Sequence, residues 1–293
     1  MSDTTAERTD FLARATASGS GKRSFGNKIL SIVCVGLAFL TLIPLCSIIF
    51  LVLKNGLPLL SLSVFTDLPP APGLTGGGFG NALIGTLLMV GLALVLATPF
   101  GILSAIYVNE YAPASGLAKT VRFVAKLLTG IPSIIAGVFA YAVVVLATGG
   151  FSAWAGGFAL AILVLPTILL TAEQALMGVP KSFREASYGL GATNFQTIWR
   201  IVLPDALPAM MTGVMLAVAR AAGETAPLLF TALFSQYWIQ SLKEPTASLS
   251  VLIYNFSTTF DDHQKQMAWT ASLVLVVLVT LANVSAQVVF RKR

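Results

Sequence analysis

The sequence is poor in charge, in cysteine and in histidine. Of its 293 residues only 10% are charged and 56% are hydrophobic, whereas a soluble domain carries about 25% charged residues. An ordinary water-soluble globule is therefore excluded. The two cysteines, Cys34 and Cys46, share one apolar run and are too far apart along a helix to form a disulfide. Asp261, Asp262 and His263 have no further His or Cys beside them, so we expect solvated loop residues and no metal site.

Catalytic patterns are also missing. The segment Gly19–Lys22 resembles part of a phosphate-binding loop, but Thr16 stands where the first loop glycine is needed, and Arg23 follows the lysine instead of Ser or Thr. No nucleophile and base occur at a recognisable spacing. We therefore expect that the chain is not an enzyme, neither an intramembrane hydrolase nor an ATPase.

What the sequence does contain is long apolar runs. Six of them are long enough to cross a membrane as helices: 29–53, 82–106, 123–147, 157–176, 207–234 and 267–289. The pattern predicts an all-α membrane protein with six transmembrane helices. Residues 1–28 are polar and are expected to form a flexible cytoplasmic tail, with the membrane domain at 29–293.

The distribution of positive charge predicts the topology. With the N-terminus inside, most of the 18 lysines and arginines fall on the cytoplasmic side, as the positive-inside rule requires. Both termini and the 178–206 loop are then cytoplasmic, and the 54–80 and 235–266 segments face the opposite side. The net charge of +6 therefore indicates membrane orientation and not binding to nucleic acid.

The loop at 178–206 is too polar to lie in lipid. Its periodic apolar residues predict two short amphipathic helices, broken at the turn 189–191, with Pro204 ending the second helix. A short helix pair exposed to the cytoplasm is suited to docking on another protein. Glu173, at the end of the fourth span, is expected to pair with Arg184 or a neighbour.

The spacing of this loop resembles the EAA loop of bacterial ABC-importer permeases, which reads E-A-A, three residues, G, nine residues, I-x-L-P. The matching residues are Glu185, Ala186, Gly191, Ile201, Leu203 and Pro204. The resemblance implies the six-helix bundle of type I ABC importers and a coupling helix that seats in a groove of an ATPase subunit. Ser187 replaces the second alanine; because its volume is also small, docking is expected to persist, with the local packing loosened by the hydroxyl.

The fifth span contains two opposite charges, Arg220 and Glu224, four residues apart in an apolar run. In a continuous helix they share one face and are close enough to pair. Because charges at membrane depth cost about 2.5–3.5 kcal/mol each on insertion scales, they usually face a bundle interior or a water-filled path. We hypothesise a gate, in which Glu224 holds Arg220 in one state and releases it to an anion in another. The alternative is a static ion pair that fixes the helix register.

The string from Arg220 to Leu228 is similar to the fifth-span signature of phosphate ABC-transporter permeases, of the PstA type rather than the PstC type. Supporting stretches lie at 76–86 and 130–137. The resemblance implies that Arg220 and Glu224 take part in phosphate passage, and we assign the candidate substrate pathway to Arg220, Glu224 and Thr225.

This resemblance also implies a setting. The chain would be a permease subunit of the bacterial inner membrane that moves phosphate into the cytoplasm by alternating access. Its partners would be a PstC-type permease in a pseudo-symmetric heterodimer, a PstB-type ATPase dimer carrying ATP and Mg, and a PstS-type binding protein outside. We expect contact with membrane lipid, no nucleic acid, and no cofactor on this chain. Two alternatives remain: a permease for sulfate or molybdate, and an ion-coupled carrier that works without an ATPase.

Overall fold

The computed structural model describes the backbone of residues 3–289 and the side chains of 27–285, 287 and 288. Within that range the regular structure is entirely helical, which confirms the all-α class. Three five-residue π-helical segments interrupt the α-helices, at Tyr107–Tyr111, Tyr141–Val145 and Ile198–Val202. The α-helices are α1 Asp3–Gly56, α2 Ser63–Thr66, α3 Gly80–Ile106, α4 Gly116–Gly130, α5 Ser133–Ala140, α6 Leu146–Thr148, α7 Ala153–Met177, α8 Lys181–Gly189, α9 Asn194–Thr197, α10 Leu203–Gly223, α11 Ala226–Leu229, α12 Leu249–Ser257 and α13 Asp262–Val289.

By length and composition, 5 helices in the described range could cross a membrane, or 6 if the bent pair formed by 116–130 and 133–148 counts as one span. The predicted six-span bundle is confirmed in this form. The third span is not one continuous helix as predicted, because its axis bends by 106° between Gly130 and Ser133. The cause is Pro132, which disfavours the helical conformation of the residue before it; Ile131 is accordingly extended, with ψ 133°.

The chain divides into two compact units, Met1–Lys54 and Asn55–Arg293. In the first unit, the apolar side chains that α1 carries from Ile29 onward are mostly exposed, and Cys34 and Cys46 are free thiols. The predicted tail at 1–28 falls almost entirely on residues whose side chains lie outside the described part, so it stays a prediction.

The second unit is held together by apolar clusters between α3, α7 and α10. Met89 of α3, Leu160 and Ile168 of α7 and Ala217 of α10 are at most 1% exposed. A separate cluster joins the end of α3 to the end of α7 and the start of α10, with Ile106 among its members. These three helices position the two candidate sites, which are the Arg220–Glu224 pair and the loop at 178–206.

At one end of this unit the 55–80 and 235–266 segments meet. The Gly73 N–H donates to Asp261 Oδ2 at 2.5 Å, and the Asn81 amide donates to the Ser235 carbonyl at 2.9 Å. The two segments therefore share one end of the bundle, in agreement with their predicted common side, while the orientation in the membrane stays a prediction.

Asp261 belongs to this junction, whereas the sequence suggested a solvated loop residue. Its carboxylate also accepts the Gln264 N–H at 2.9 Å at the start of α13. These backbone hydrogen bonds, first from Gln264 and then from Gly73, hold the pKa of Asp261 below its ordinary value of 3.8. Among the described residues no group of three His, Cys, Asp or Glu side chains could hold a metal ion.

Candidate functional site

The helix that carries Arg220 breaks directly after it. α10 ends at Gly223, Glu224 is extended with φ −72° and ψ 127°, and α11 begins at Ala226. The predicted continuous span at 207–234, with Arg220 and Glu224 on one helical face, is therefore wrong. Pro227 explains the break, because it has no N–H to donate to the Gly223 carbonyl one turn earlier.

Arg220 and Glu224 nevertheless pair across the break. Arg220 Nε lies 3.3 Å from Glu224 Oε1, and the two side chains are 34% and 17% exposed. The last turn of α10 favours a cation, because the helix dipole places partial negative charge there. Within the described residues this is the one hydrogen bond of the Arg220 guanidinium, so both of its terminal NH₂ groups remain available to a ligand.

The residues at the break are held by neighbouring elements. The hydroxyl of Ser250 donates to the Glu224 carbonyl oxygen at 2.8 Å. A Cβ on Gly137 would stand 2.6 Å from Pro227 Cα, so the backbone of α5 packs directly on the start of α11. Thr225 is half-buried between them, and its carbonyl accepts the Leu228 N–H at 3.1 Å. The break is thus a fixed feature, with Arg220 and Glu224 presented from it.

A second arginine, Arg184 on α8, is bound very differently. It forms a two-point ion pair with Glu110 at the end of the first π segment, at 2.6 and 3.2 Å, and Glu110 is only 7% exposed. Its remaining donors go to the carbonyls of Val179 at 2.8 Å and Leu176 at 3.0 Å. Each nitrogen of this guanidinium has a protein partner, which is the arrangement of a structural clamp.

Arg122 on α4 is satisfied in the same way. Its Nε bonds to Glu173 of α7 at 2.5 Å, and its other nitrogens bond to the carbonyls of Pro113 at 3.0 Å and Val108 at 2.6 Å. Of the two alternatives expected for Glu173, Arg184 or a neighbour, Arg184 is not its partner, and Arg122 takes that place. Arg220, with one hydrogen bond to the described part of the chain, is therefore unlike both clamping arginines.

The loop at 178–206 has the first of the two predicted short helices, whereas the second, which begins at Asn194, is not short and continues through the π segment to Gly223. α8 ends at Gly189, and Gly191 has φ +82°, a conformation that glycine adopts without steric cost. Thr193 then caps α9 in a capping box with Gln196. Pro204 does not end the second helix as predicted. It lies in the first turn of α10, where a missing N–H is tolerated after the π segment Ile198–Val202.

The residues that match the EAA pattern lie on both faces of this loop. Glu185, Ala186, Gly191 and Pro204 are exposed, while Ile201 and Leu203 are half-buried. Ser187 is 3% exposed and its Oγ lies 2.8 Å from Thr197 Oγ1. The expectation that this hydroxyl loosens the packing is therefore wrong, because it ties α8 to α9.

The loop also exposes a set of large apolar side chains, which we call the docking surface. Phe195 is 61% and Trp199 43% exposed, with their rings 5.8 Å apart, and Phe183 and Leu190 are 46% and 89% exposed. Exposed apolar side chains grouped in this way are typical of a protein interface. The docking surface is what the predicted coupling role requires.

Two positions at the site were missed from the sequence. Ser250 gave no signal, since serine is common at the start of a helix. Glu110 could have been found, because it is a lone carboxylate at the end of a long apolar run, where an unpaired charge is costly.

Comparison with known proteins places these features in a family. Residues 97–293 match the model of the binding-protein-dependent transport system inner membrane component. The chain is 39% identical over 267 residues to the phosphate transport system permease protein PstA of Yersinia pestis, covering 91% of this chain and 90% of that protein. It is 38% identical over 275 residues to PstA of Haemophilus influenzae, covering 92% and 97%.

A solved bacterial alginate ABC transporter, in complex with a periplasmic protein that carries an alginate pentasaccharide, contains a chain of similar fold. The TM-score is 0.65 at 17% identity, over 92% of this chain and 96% of that one. At this identity the likeness concerns the fold alone. By the family model and the two PstA relatives, the chain belongs to the binding-protein-dependent transport system inner membrane components, among the PstA-type permeases, as a multi-pass protein of the inner membrane.

Proposed function

We propose that this chain is the permease subunit of an ATP-driven importer that moves inorganic phosphate into the cytoplasm by alternating access. Its similarity to PstA permeases over nine-tenths of its length supports phosphate as the substrate. The docking surface and the EAA-type spacing support coupling to ATP hydrolysis on separate subunits.

One observation carries the substrate assignment: among the described residues the guanidinium of Arg220 has a single hydrogen bond, at 3.3 Å, and it lies beside a break in its helix. A planar guanidinium matches two phosphate oxygens at once, and charge-assisted bonds of this kind are strong. Glu224 would repel the same anion. The pair therefore acts as a gate, in which an arriving phosphate competes with Glu224 for Arg220.

The assembly follows from the same reasoning. One permease exposes a single pathway face, so a PstC-type subunit completes the enclosure, and a PstS-type protein delivers phosphate from outside. A PstB-type ATPase dimer, which holds ATP and Mg, contacts the docking surface. Membrane lipid covers the apolar outer faces, and no nucleic acid takes part.

The test is uptake of radiolabelled phosphate by proteoliposomes that contain this chain, a PstC-type permease, a PstB-type ATPase and a PstS-type binding protein. We expect ATP-dependent uptake of phosphate, its loss in Arg220→Gln, and normal uptake in Lys265→Gln. Lys265 is the matched control, because it pairs with Asp262 in the first turn of α13 and is 43% exposed.

Two outcomes would overturn the proposal. Uptake that proceeds without the ATPase would indicate an ion-coupled carrier. A preference for sulfate or molybdate over phosphate would indicate a permease for a different oxyanion.

A further inference from the structure

A cavity of about 540 Å³ opens between α7, α10 and α13. Its polar lining residues are Thr171, Gln174, Thr212, Asn283 and Gln287. Gln174 lies one turn before the end of α7, and Asn283 and Gln287 lie in the last two turns of α13. The cavity is therefore at the end of the bundle that carries the coupling loop.

The polar groups of this cavity differ in whether a described residue satisfies them. The hydroxyls of Thr171 and Thr212 donate to carbonyls of their own helices, at 2.7 and 3.1 Å. The carboxamides of Gln174, Asn283 and Gln287 form no hydrogen bond to any residue that the structure describes. Lipid tails cannot satisfy such groups, so these three side chains require water or a polar ligand in the cavity.

The cavity is aligned with Arg220. Ala209, Gly213 and Leu216 of α10 line it, and Arg220 follows at spacings of four, three and four residues, which places all four on one face of the helix. From Gly213 to Arg220 the helix rises by about 10 Å. Arg220 therefore lies deeper in the bundle, on the face that leads into the cavity.

At Gly213 this face packs closely against α7. A Cβ on Gly213 would stand 2.2 Å from Thr171 Oγ1, so α10 approaches α7 at a point where it has no side chain. The polar groups on either side of that contact are uncharged, and among the residues that the structure describes no lysine or arginine lines the cavity. This described lining offers hydrogen-bond donors without a fixed positive charge.

We propose that this cavity is an inner vestibule for the translocated oxyanion, in which neutral amide and hydroxyl groups receive it after it leaves Arg220. The inference rests on the proposed function, since it takes phosphate as the passing anion. A permeating ion must be bound well enough to enter a site and weakly enough to leave it. Neutral donors fulfil that condition at the cytoplasmic exit, whereas a second arginine would retain the anion.

The first test measures access to the cavity in the reconstituted complex. Thr212→Cys is placed in a background of Cys34→Ser and Cys46→Ser and treated with a water-soluble methanethiosulfonate reagent. We expect labelling that phosphate slows several-fold. Val95→Cys, on an α3 position that is 73% exposed and outside the cavity, is the control and should resist the reagent.

The second test adds one negative charge at constant size. Gln174→Glu should lower phosphate uptake at least ten-fold with the complex intact. Gln266→Glu, in the first turns of α13 and also exposed, should leave it unchanged. Normal uptake in Gln174→Glu, or labelling at Thr212→Cys that ignores phosphate, would overturn the vestibule in a complex that transports phosphate. A wild-type complex that transports none would instead refute the proposed function.

Discussion

The hydroxyl of Ser250, in the first turn of α12, donates a 2.8 Å hydrogen bond to the backbone carbonyl oxygen of Glu224. That carbonyl has left the hydrogen-bond ladder of α10, since the helix ends one residue earlier. The bond therefore satisfies a backbone acceptor that the helix break sets free. It also fixes the position from which the Glu224 side chain reaches Arg220.

Ser250→Ala should impair transport without preventing assembly. Removing the hydroxyl leaves a partly buried acceptor unsatisfied, which costs about 1–3 kcal/mol, so we expect a lower melting temperature and reduced phosphate uptake. Ser250→Thr should restore both. Ser257→Ala is the matched control, because its hydroxyl bonds only to the Tyr254 carbonyl of its own helix. Wild-type uptake in Ser250→Ala would contradict this role.

Substitutions at Arg220 and Glu224 should distinguish a gate from a structural pair. Arg220→Lys should transport little more phosphate than Arg220→Gln, because an ammonium group lacks the planar fork of a guanidinium. Glu224→Gln removes the negative charge that holds Arg220. It should therefore disturb the gating of transport, while Arg220 still attracts the anion. The charge-swapped double variant should assemble but remain inactive. Recovered phosphate uptake in the swap would reject the gate.

The ion pair between Arg184 and Glu110 should stabilise the folded chain. Glu110→Ala leaves a largely buried guanidinium without its carboxylate, a type of change that costs about 3 kcal/mol. The double variant with Arg184→Ala should lose less than the sum of the two single variants. Denaturant unfolding in detergent measures these differences. Arg220→Ala breaks one longer contact and should change the free energy of unfolding by less than about 1 kcal/mol. A loss equal to that of Glu110→Ala would mean that Arg220 is a structural clamp as well.

Gly137→Ala should displace the helix break. The added Cβ would stand 2.6 Å from Pro227 Cα, which is backbone and cannot rotate away. Overpacking of this kind costs about 1–3 kcal/mol, and we expect a comparable loss in melting temperature and uptake. Gly91→Ala, within α3, has nothing within 4 Å of the new atom and should be neutral or stabilising. Equal behaviour of the two variants would argue against a tight contact at Gly137.

Acid stability should depend on Asp261. Because the folded pKa lies below the ordinary value of 3.8, the carboxylate contributes stability above the unfolded pKa, and that contribution is lost as the pH falls through the folded pKa. Melting curves at pH values from neutral to about 3 should therefore show a smaller acid-induced decrease for Asp261→Asn than for the wild type. Asp262→Asn is the control, since its side chain is 96% exposed. Parallel curves for all three proteins would contradict the assignment.

The spans and the coupling loop could be predicted because their signals are local. Apolar run length identifies α3 and α7, and the glycine at 191 between two short periodic segments marks the turn. The break after Gly223 could not be read from hydropathy, since the residues beyond it are as apolar as those before it. Pro227 was the sequence signal for the break, but prolines are common within membrane helices, so this signal alone does not identify a break.

The ion pairs show a second limit of prediction from the sequence. Arg122 pairs with Glu173 and Arg184 with Glu110, at separations of 51 and 74 residues. Sequence reasoning finds partners three or four positions apart on one helix, and for Glu173 it could offer only Arg184 or a neighbour. The fold brings the ends of α3 and α4 to those of α7 and α8, and that approach decides the partners.

The π segment Ile198–Val202 lies within the long helix that leads from the coupling loop to Arg220. It determines how far Arg220 is rotated about the helix axis relative to the coupling loop. A π turn contains one residue more than an α turn, so everything after it is rotated by about 100° relative to an uninterrupted helix. Loss of a single residue there would turn Arg220, together with the cavity-lining residues of α10, relative to the coupling loop while leaving the chemistry of its side chain unchanged. The insertion of one residue thus aligns two sites that lie about 30 Å apart along the same axis.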